Sequence, residues 1–235
     1  MNQMDAKDIG YLITDINKIF FEGKMEVNHD LKITHSNTPF PHVYVENMYN
    51  DEELEQIFAE LDYYQSNKET YFLPPTETGS ATKEDNKTPI KNNVGFFLDH
   101  VYNERKYSKI LQLNRRIFDT NEILCDPSKR NLMFSNFYPD KDWTLISYYE
   151  NGGEYKEHRD KAVATACTWF FKYPKKFTGG DISFPDFKYK LKSNSNCMVI
   201  FPSFIRHKVS TISMKETDEG KGLGRYCMTQ FMHYK

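Results

Sequence analysis

The sequence predicts a mostly β fold with flanking α-helices, a double-stranded β-helix (a jelly roll of the cupin-like kind) in one domain. Three observations predict it. From Leu145 onward the chain is a series of short apolar or alternating runs, at 145–149, 162–171, 181–184, 197–201, 209–212 and 226–232, separated by Gly, Pro, Asn and Lys clusters. Helical periodicity is confined to the amino-terminal part. Two histidines and an aspartate, His158, Asp160 and His207, accompany the strand-like runs at a spacing that suits a metal in the mouth of such a fold.

A length of 235 residues with 39% hydrophobic content is enough for one substantial core. The expected organisation is a single domain over 1–235, with 1–140 a helical and strand support containing a loop, and 141–235 the jelly-roll core that carries the chemistry. The net charge of −2 gives no reason to expect nucleic acid or an anionic membrane as a partner. Four cysteines occur without any Cys-x-x-Cys pair, three of them in apolar runs, which fits a reducing compartment. With no leader-like amino terminus and no run of membrane-spanning length, the expectation is a soluble, cytoplasmic protein. Nothing in the sequence fixes its oligomeric state.

Taken in order, Ile9, Leu12, Ile13, Ile16, Ile19 and Phe20 recur at helical spacing and predict an amphipathic helix over 5–21. A polar connector ends at Pro39-Phe40-Pro41, and 42–46 alternates like a strand. Asn50 or Asp51 caps a helix that opens on acids suited to the positive end of its dipole and continues through Leu54, Ile57, Phe58 and Leu61. Residues 66–93 are polar and aperiodic, the composition of a disordered segment or a functional loop. Tyr71-Phe72-Leu73 is the apolar patch in that loop able to fold over a substrate. A helix over 107–118 places Ile110, Leu111, Leu113 and Ile117 inward and Arg115 and Arg116 on the solvated side.

The chemistry centres on Tyr149 to Asp160. In an extended segment His158 and Asp160 project from one face and Arg159 from the other. With His207 on another strand they form two imidazoles and one carboxylate, a facial triad that leaves coordination positions open and is expected of non-haem Fe(II) oxygenases. Structural histidines or a zinc site are the alternatives. Eighteen residues after His207, Arg225 opens the run to Met232, where a strand-borne arginine can clamp a carboxylate bidentately. His29, His35, His42, His100 and His233 have no partner at ligand spacing.

With these residues in place, the stretch from Thr144 to Tyr234 resembles the Fe(II)/2-oxoglutarate-dependent dioxygenases, and within them the prolyl 4-hydroxylase branch. The resemblance implies that His158, Asp160 and His207 hold Fe(II), that Arg225 pairs with the far carboxylate of 2-oxoglutarate, and that Tyr149 and Thr229 help to orient it. Tyr155, three residues before His158, matches a substrate-facing tyrosine, and Gly179-Gly180 and Phe184 match a Gly-Gly-x-x-x-Phe segment. The chain departs from the pattern between His207 and Arg225, where 215–222 is an inserted polar loop. The implied reaction consumes O2, hydroxylates a C–H bond with release of succinate and CO2, and uses ascorbate as a reductant. A peptidyl proline is the favoured target. Alternatives are a free amino acid or small metabolite as substrate, or a non-catalytic jelly-roll binding module. The nucleic-acid demethylase branch is disfavoured, because its further arginine is missing from the run after Arg225.

Overall fold

The computed structural model describes residues 30–78, 88–125, 133–134 and 137–234. The helix expected over 5–21 lies outside the described residues.

Of fourteen strands among the described residues, twelve form two principal antiparallel sheets. The larger runs β1 (Lys32–Ser36), β2 (His42–Glu46), β11 (Cys197–Pro202), β7 (Ala164–Phe170), β14 (Arg225–His233), β5 (Lys141–Tyr149) and β4 (Val94–Phe97) from edge to edge. The smaller runs β10 (Tyr189–Leu191), β9 (Ile182–Phe184), β12 (His207–Val209), β6 (Glu154–His158) and β3 (Lys91–Asn92). A short pair, β8 (Phe177–Thr178) with β13 (Ser213–Met214), completes the set. The jelly roll expected from the strand pattern is therefore present. No helix among the described residues is long and apolar enough to cross a membrane.

Alternation on the central strands builds two interiors. Tyr226, Met228 and Met232 of β14, Ala164, Ala166 and Phe170 of β7, and Met198 and Ile200 of β11 enter one cluster. There they meet Ile57, Leu61 and Tyr64 of helix α1 (Asp51–Ser66). The intervening residues Cys227, Cys167, Trp169, Cys197, Val199 and Phe201 face the smaller sheet and meet its Ile182 and Phe184. Strands buried on both faces need no polar alternation, which is why β11 reads in the sequence as an unbroken apolar run and β7 as one broken only by Thr165 and Thr168.

Helix α1 starts where its composition says it should. The Asn50 side chain accepts from the Glu53 backbone and Glu53 reaches back to the Asn50 backbone, a reciprocal cap. Glu53 also pairs with Arg116, which donates to the Met48 carbonyl at 2.6 Å. Arg116 is thus buried, not solvated. The helix expected over 107–118 is correspondingly interrupted, into α2 (Lys109–Leu113) and α3 (Arg116–Asp119). At the break the fully buried Asn114 donates to Thr144 Oγ1 and accepts from Arg105, partners that an apolar helix face would not supply.

The aromatic patch of the 66–93 segment is also placed differently from expectation. Tyr71 and Phe72 pack against Phe96, tilted and edge-on respectively, and Phe72 also against Tyr148, beside the cluster on the helical side of the larger sheet. Leu73 pairs its backbone with Gly95. Apolar rings adjoining a buried aromatic cluster gain more by packing there than by waiting over a cavity.

Breaking a buried ion pair on one side strands the other charge, at a cost of about 3–5 kcal/mol. Arg116→Met should lower the unfolding free energy by that order, and adding Glu53→Leu should restore part of it, the remainder being the lost cap. Urea denaturation of the two variants checks this; a single variant as stable as the parent would show the pair to be dispensable.

Candidate metal and carboxylate site

Strands β6 and β12 pair antiparallel with His158 opposite His207, which brings the two imidazoles together with ring centroids 4.1 Å apart. Asp160 follows β6, and its backbone N–H donates to the Ser203 carbonyl at 3.0 Å. That bond turns the carboxylate toward the histidines. Its oxygens lie 3.7 Å from His158 Nε2 and 3.4 Å from His207 Nε2, and one of them accepts from Thr165 Oγ1 at 2.7 Å. Thr165 in turn bonds Ser203 Oγ at 2.8 Å. The one donor atom offered by each of the three residues lies within 4.8 Å of the others.

Hydrogen bonding fixes the tautomers. His158 Nδ1 is 2.8 Å from the Lys156 carbonyl and His207 Nδ1 is 2.9 Å from the Ile205 carbonyl. A carbonyl can only accept, so each Nδ1 carries the proton and each Nε2 presents a lone pair to the common centre. Burial, followed by the neighbouring His207, holds the His158 pKa well below the usual imidazole value, which keeps it a neutral donor. Six-coordinate bonds of about 2.1 Å at right angles put adjacent donor atoms about 3 Å apart. The donor set and its spacing therefore fit a divalent cation held on one face.

The triad opens on a cavity of about 610 Å³. Alternate residues of β14 (Cys227, Thr229, Phe231) and β5 (Trp143, Leu145, Ser147, Tyr149) form one wall. Tyr155 stacks on His158, centroids 3.5 Å apart and planes 9° from parallel. Burial pushes its phenol pKa up, so it stays protonated.

Arg225 begins the same face of β14 one pleat beyond Cys227, opposite Tyr149 in register. It is fully buried. Its Nη1 donates to the Gly180 carbonyl at 2.6 Å and to Ser193 Oγ at 3.3 Å, while its Nε and Nη2 have no hydrogen-bond partner among the described residues. The guanidinium lies 4.4 Å from the centroid of the Tyr149 ring, and it is Tyr149, not Arg225, that lines the cavity. A buried cation with two idle donors in a fork is the complement of a carboxylate. Gly180, at φ +76°, makes room for it, since a Cβ there would stand 3.2 Å from Arg225 Cδ.

The structure thus brings His158, Asp160, His207, Tyr155, Tyr149 and Arg225 to one region. Thr229 lines the cavity too, but four residues of strand put it about 13 Å from Arg225 along β14, and its hydroxyl contacts Cys227 Sγ at 3.6 Å. The residues that sequence reasoning missed are Ser193, the Gly180 carbonyl, Thr165 as the holder of Asp160, and Lys91, which lines the cavity from β3. Ser193 and Lys91 carry no local signal; the glycine pair at 179–180 was the visible trace of the Arg225 pocket.

No protein-family model matches the sequence, and no curated protein matches it. Among solved structures the chain is similar to a Pseudomonas putida prolyl-4-hydroxylase, with a TM-score of 0.53 and 16% identity over 86% of this chain and 94% of that one. It is also similar to a prolyl 4-hydroxylase from Phytophthora capsici, with a TM-score of 0.50 and 14% identity over 82% of this chain and 58% of that one. At these identities the likeness establishes a shared fold.

The buried imidazoles make the metal-free protein acid-sensitive. His158 and His42 both have pKa values lowered by burial. As pH falls through about 6.5 the unfolded chain takes up protons that the folded chain does not, so stability is present above that pH and lost below it. Thermal denaturation of the metal-free protein at pH 7.5, 6.5 and 5.5 should show a falling midpoint, with a shallower fall in His158→Gln. Equal slopes in the two proteins would remove His158 from the effect.

Proposed function

We propose that the protein is an Fe(II)- and 2-oxoglutarate-dependent dioxygenase that hydroxylates a C–H bond. The observation that carries the reading is the pairing of a facial His-Asp-His donor set with a buried, half-satisfied arginine one pleat below the same cavity wall. A structural histidine pair needs no such cation, and a zinc site does not account for it.

In this reading His158, Asp160 and His207 hold the iron from one side, and Arg225 binds the far carboxylate of 2-oxoglutarate with its unpaired Nε and Nη2. Bound there, iron and 2-oxoglutarate supply the oxidation of a C–H bond by O2, with succinate and CO2 released. The chain's own residues do the rest. Asp160 is kept in place by Thr165 and the Ser203 backbone, so its lone pairs point to the centre at no cost in reorganisation. Tyr149 shields the guanidinium from water, which strengthens its attraction for a carboxylate. Tyr155 stays neutral and fixes the His158 ring plane by stacking.

For the substrate, the sequence resemblance favours a peptidyl proline, approached from the cavity mouth beside Tyr155. A free amino acid or small metabolite is the second reading. It is supported by Lys91, a buried cation in the cavity wall.

Anaerobic addition of Fe(II) and 2-oxoglutarate should produce the weak visible charge-transfer band of the chelate. His207→Ala should abolish it. Arg225→Ala should raise the 2-oxoglutarate concentration for half-formation at least tenfold, the value of a charge-assisted bond of about 1.5–3 kcal/mol, and Arg225→Lys should restore part of it because one prong of the fork is lost. A parent protein that forms no band would favour a non-catalytic binding module.

A further inference from the structure

One buried charge near the triad has no counter-ion among the described residues. Lys91 sits on β3 opposite Tyr155 in register, is 6% exposed, and lines the cavity. Its ammonium donates to the Thr78 carbonyl and, at 2.7 Å, to Thr78 Oγ1, both neutral acceptors. It also lies 5.8 Å from the centroid of the Tyr155 ring, the ring that stacks on His158. Among the described residues no carboxylate approaches it within ion-pair distance. The two acids of the cavity wall are committed elsewhere: Asp160 to the triad, and Glu157 to Lys208 and Arg206. Burial lowers the Lys91 pKa to about 8, the signature of a cation still in want of an anion.

We infer that Lys91 binds a carboxylate of the substrate, so that the carbon to be oxidised belongs to a small acid, a free amino acid or close relative, and not to an internal residue of a polypeptide. This rests on the oxygenase reading and adds the substrate class to it. An internal proline or other uncharged peptide residue would bring only amides to this wall, and an amide does not neutralise a buried ammonium. Two of the three ammonium protons are already used on Thr78, which leaves one for a carboxylate oxygen. The span is also short. The ammonium lies 5.8 Å from the Tyr155 centroid and that centroid 3.5 Å from the His158 ring, so the ammonium is at most about 9 Å from the imidazole, a span that a small acid can bridge.

The test is a screen for 2-oxoglutarate-dependent gain of one oxygen by mass spectrometry, over the twenty free L-amino acids, their primary amides and a set of proline-containing peptides. It is run on the iron-loaded parent, Lys91→Met and Lys91→Arg. The expected result is oxidation of at least one free acid, with its amide at least tenfold poorer. Lys91→Met should raise the KM for that acid at least tenfold and erase the preference over the amide, Lys91→Arg should recover part of both, and the charge-transfer band with 2-oxoglutarate should persist in Lys91→Met. Oxidation of internal peptide residues, or equal use of acid and amide, or no acid oxidised by a parent that forms the chelate, would overturn the inference. So would loss of the band in Lys91→Met, because it would move Lys91 to the co-substrate. Absence of the band in the parent would instead overturn the oxygenase reading on which the inference stands.

Discussion

The arrangement depends on the antiparallel register of β14, whose nine residues pair with β5 along one edge and, through most of their length, with β7 along the other. A strand presents alternate side chains to opposite faces, so this register decides which residues pack on helix α1 and which line the cavity. A slip by one residue would exchange Arg225, Cys227 and Thr229 with Tyr226, Met228 and Gln230. It would drive the guanidinium into the apolar layer and away from Tyr149. The pairing of His158 with His207 in the smaller sheet is the same kind of constraint, imposed through β6 and β12.

Buried charge is treated in two ways across the molecule. On the helical side each buried ion is closed by a partner within the chain: Arg116 by Glu53, and Asp142 by Arg105 at 2.5 Å and Arg115 at 3.2 Å. On the cavity side Arg225 and Lys91 are left with neutral partners. Desolvating a cation without a counter-ion opposes folding. The folded chain tolerates that cost in the cavity wall at Lys91 and behind the wall residue Tyr149 at Arg225, where an incoming anion can offset it, and avoids it everywhere else described.

Much of this was legible in the sequence, for reasons that lie in local periodicity. The strands of the larger sheet announce themselves as apolar runs because both their faces are buried, and Asn50 with Glu53 marks the start of α1 by its capping chemistry. His-x-Asp is readable as a close-spaced pair, although Asp160 lies just past the end of β6 and the Ser203 backbone, not the pleat, sets its direction. What escaped notice depends on contacts across long stretches of chain. Arg116 looks solvated in its own helix, and only the approach of Glu53 and Met48, more than sixty residues away, buries it. Tyr71 and Phe72 look like loop residues until Phe96 and Tyr148 receive them. Lys91 lay within a polar segment with nothing in its neighbours to set it apart from the other lysines there. Its significance appears once β3 joins β6 beside Tyr155.

Because β14, β7 and β5 divide their side chains between two interiors, the property of staying folded and the property of choosing a ligand are written at different positions of the same strands. Positions 143, 145, 147, 227, 229 and 231 look into the cavity, whereas 146, 148, 226, 228 and 232 hold the helical layer. Descendants of such a chain can acquire new ligand preferences by changing the first set while the second remains untouched. The shared backbone then acts as a fixed frame, and divergence of specificity need not proceed through a loss of stability.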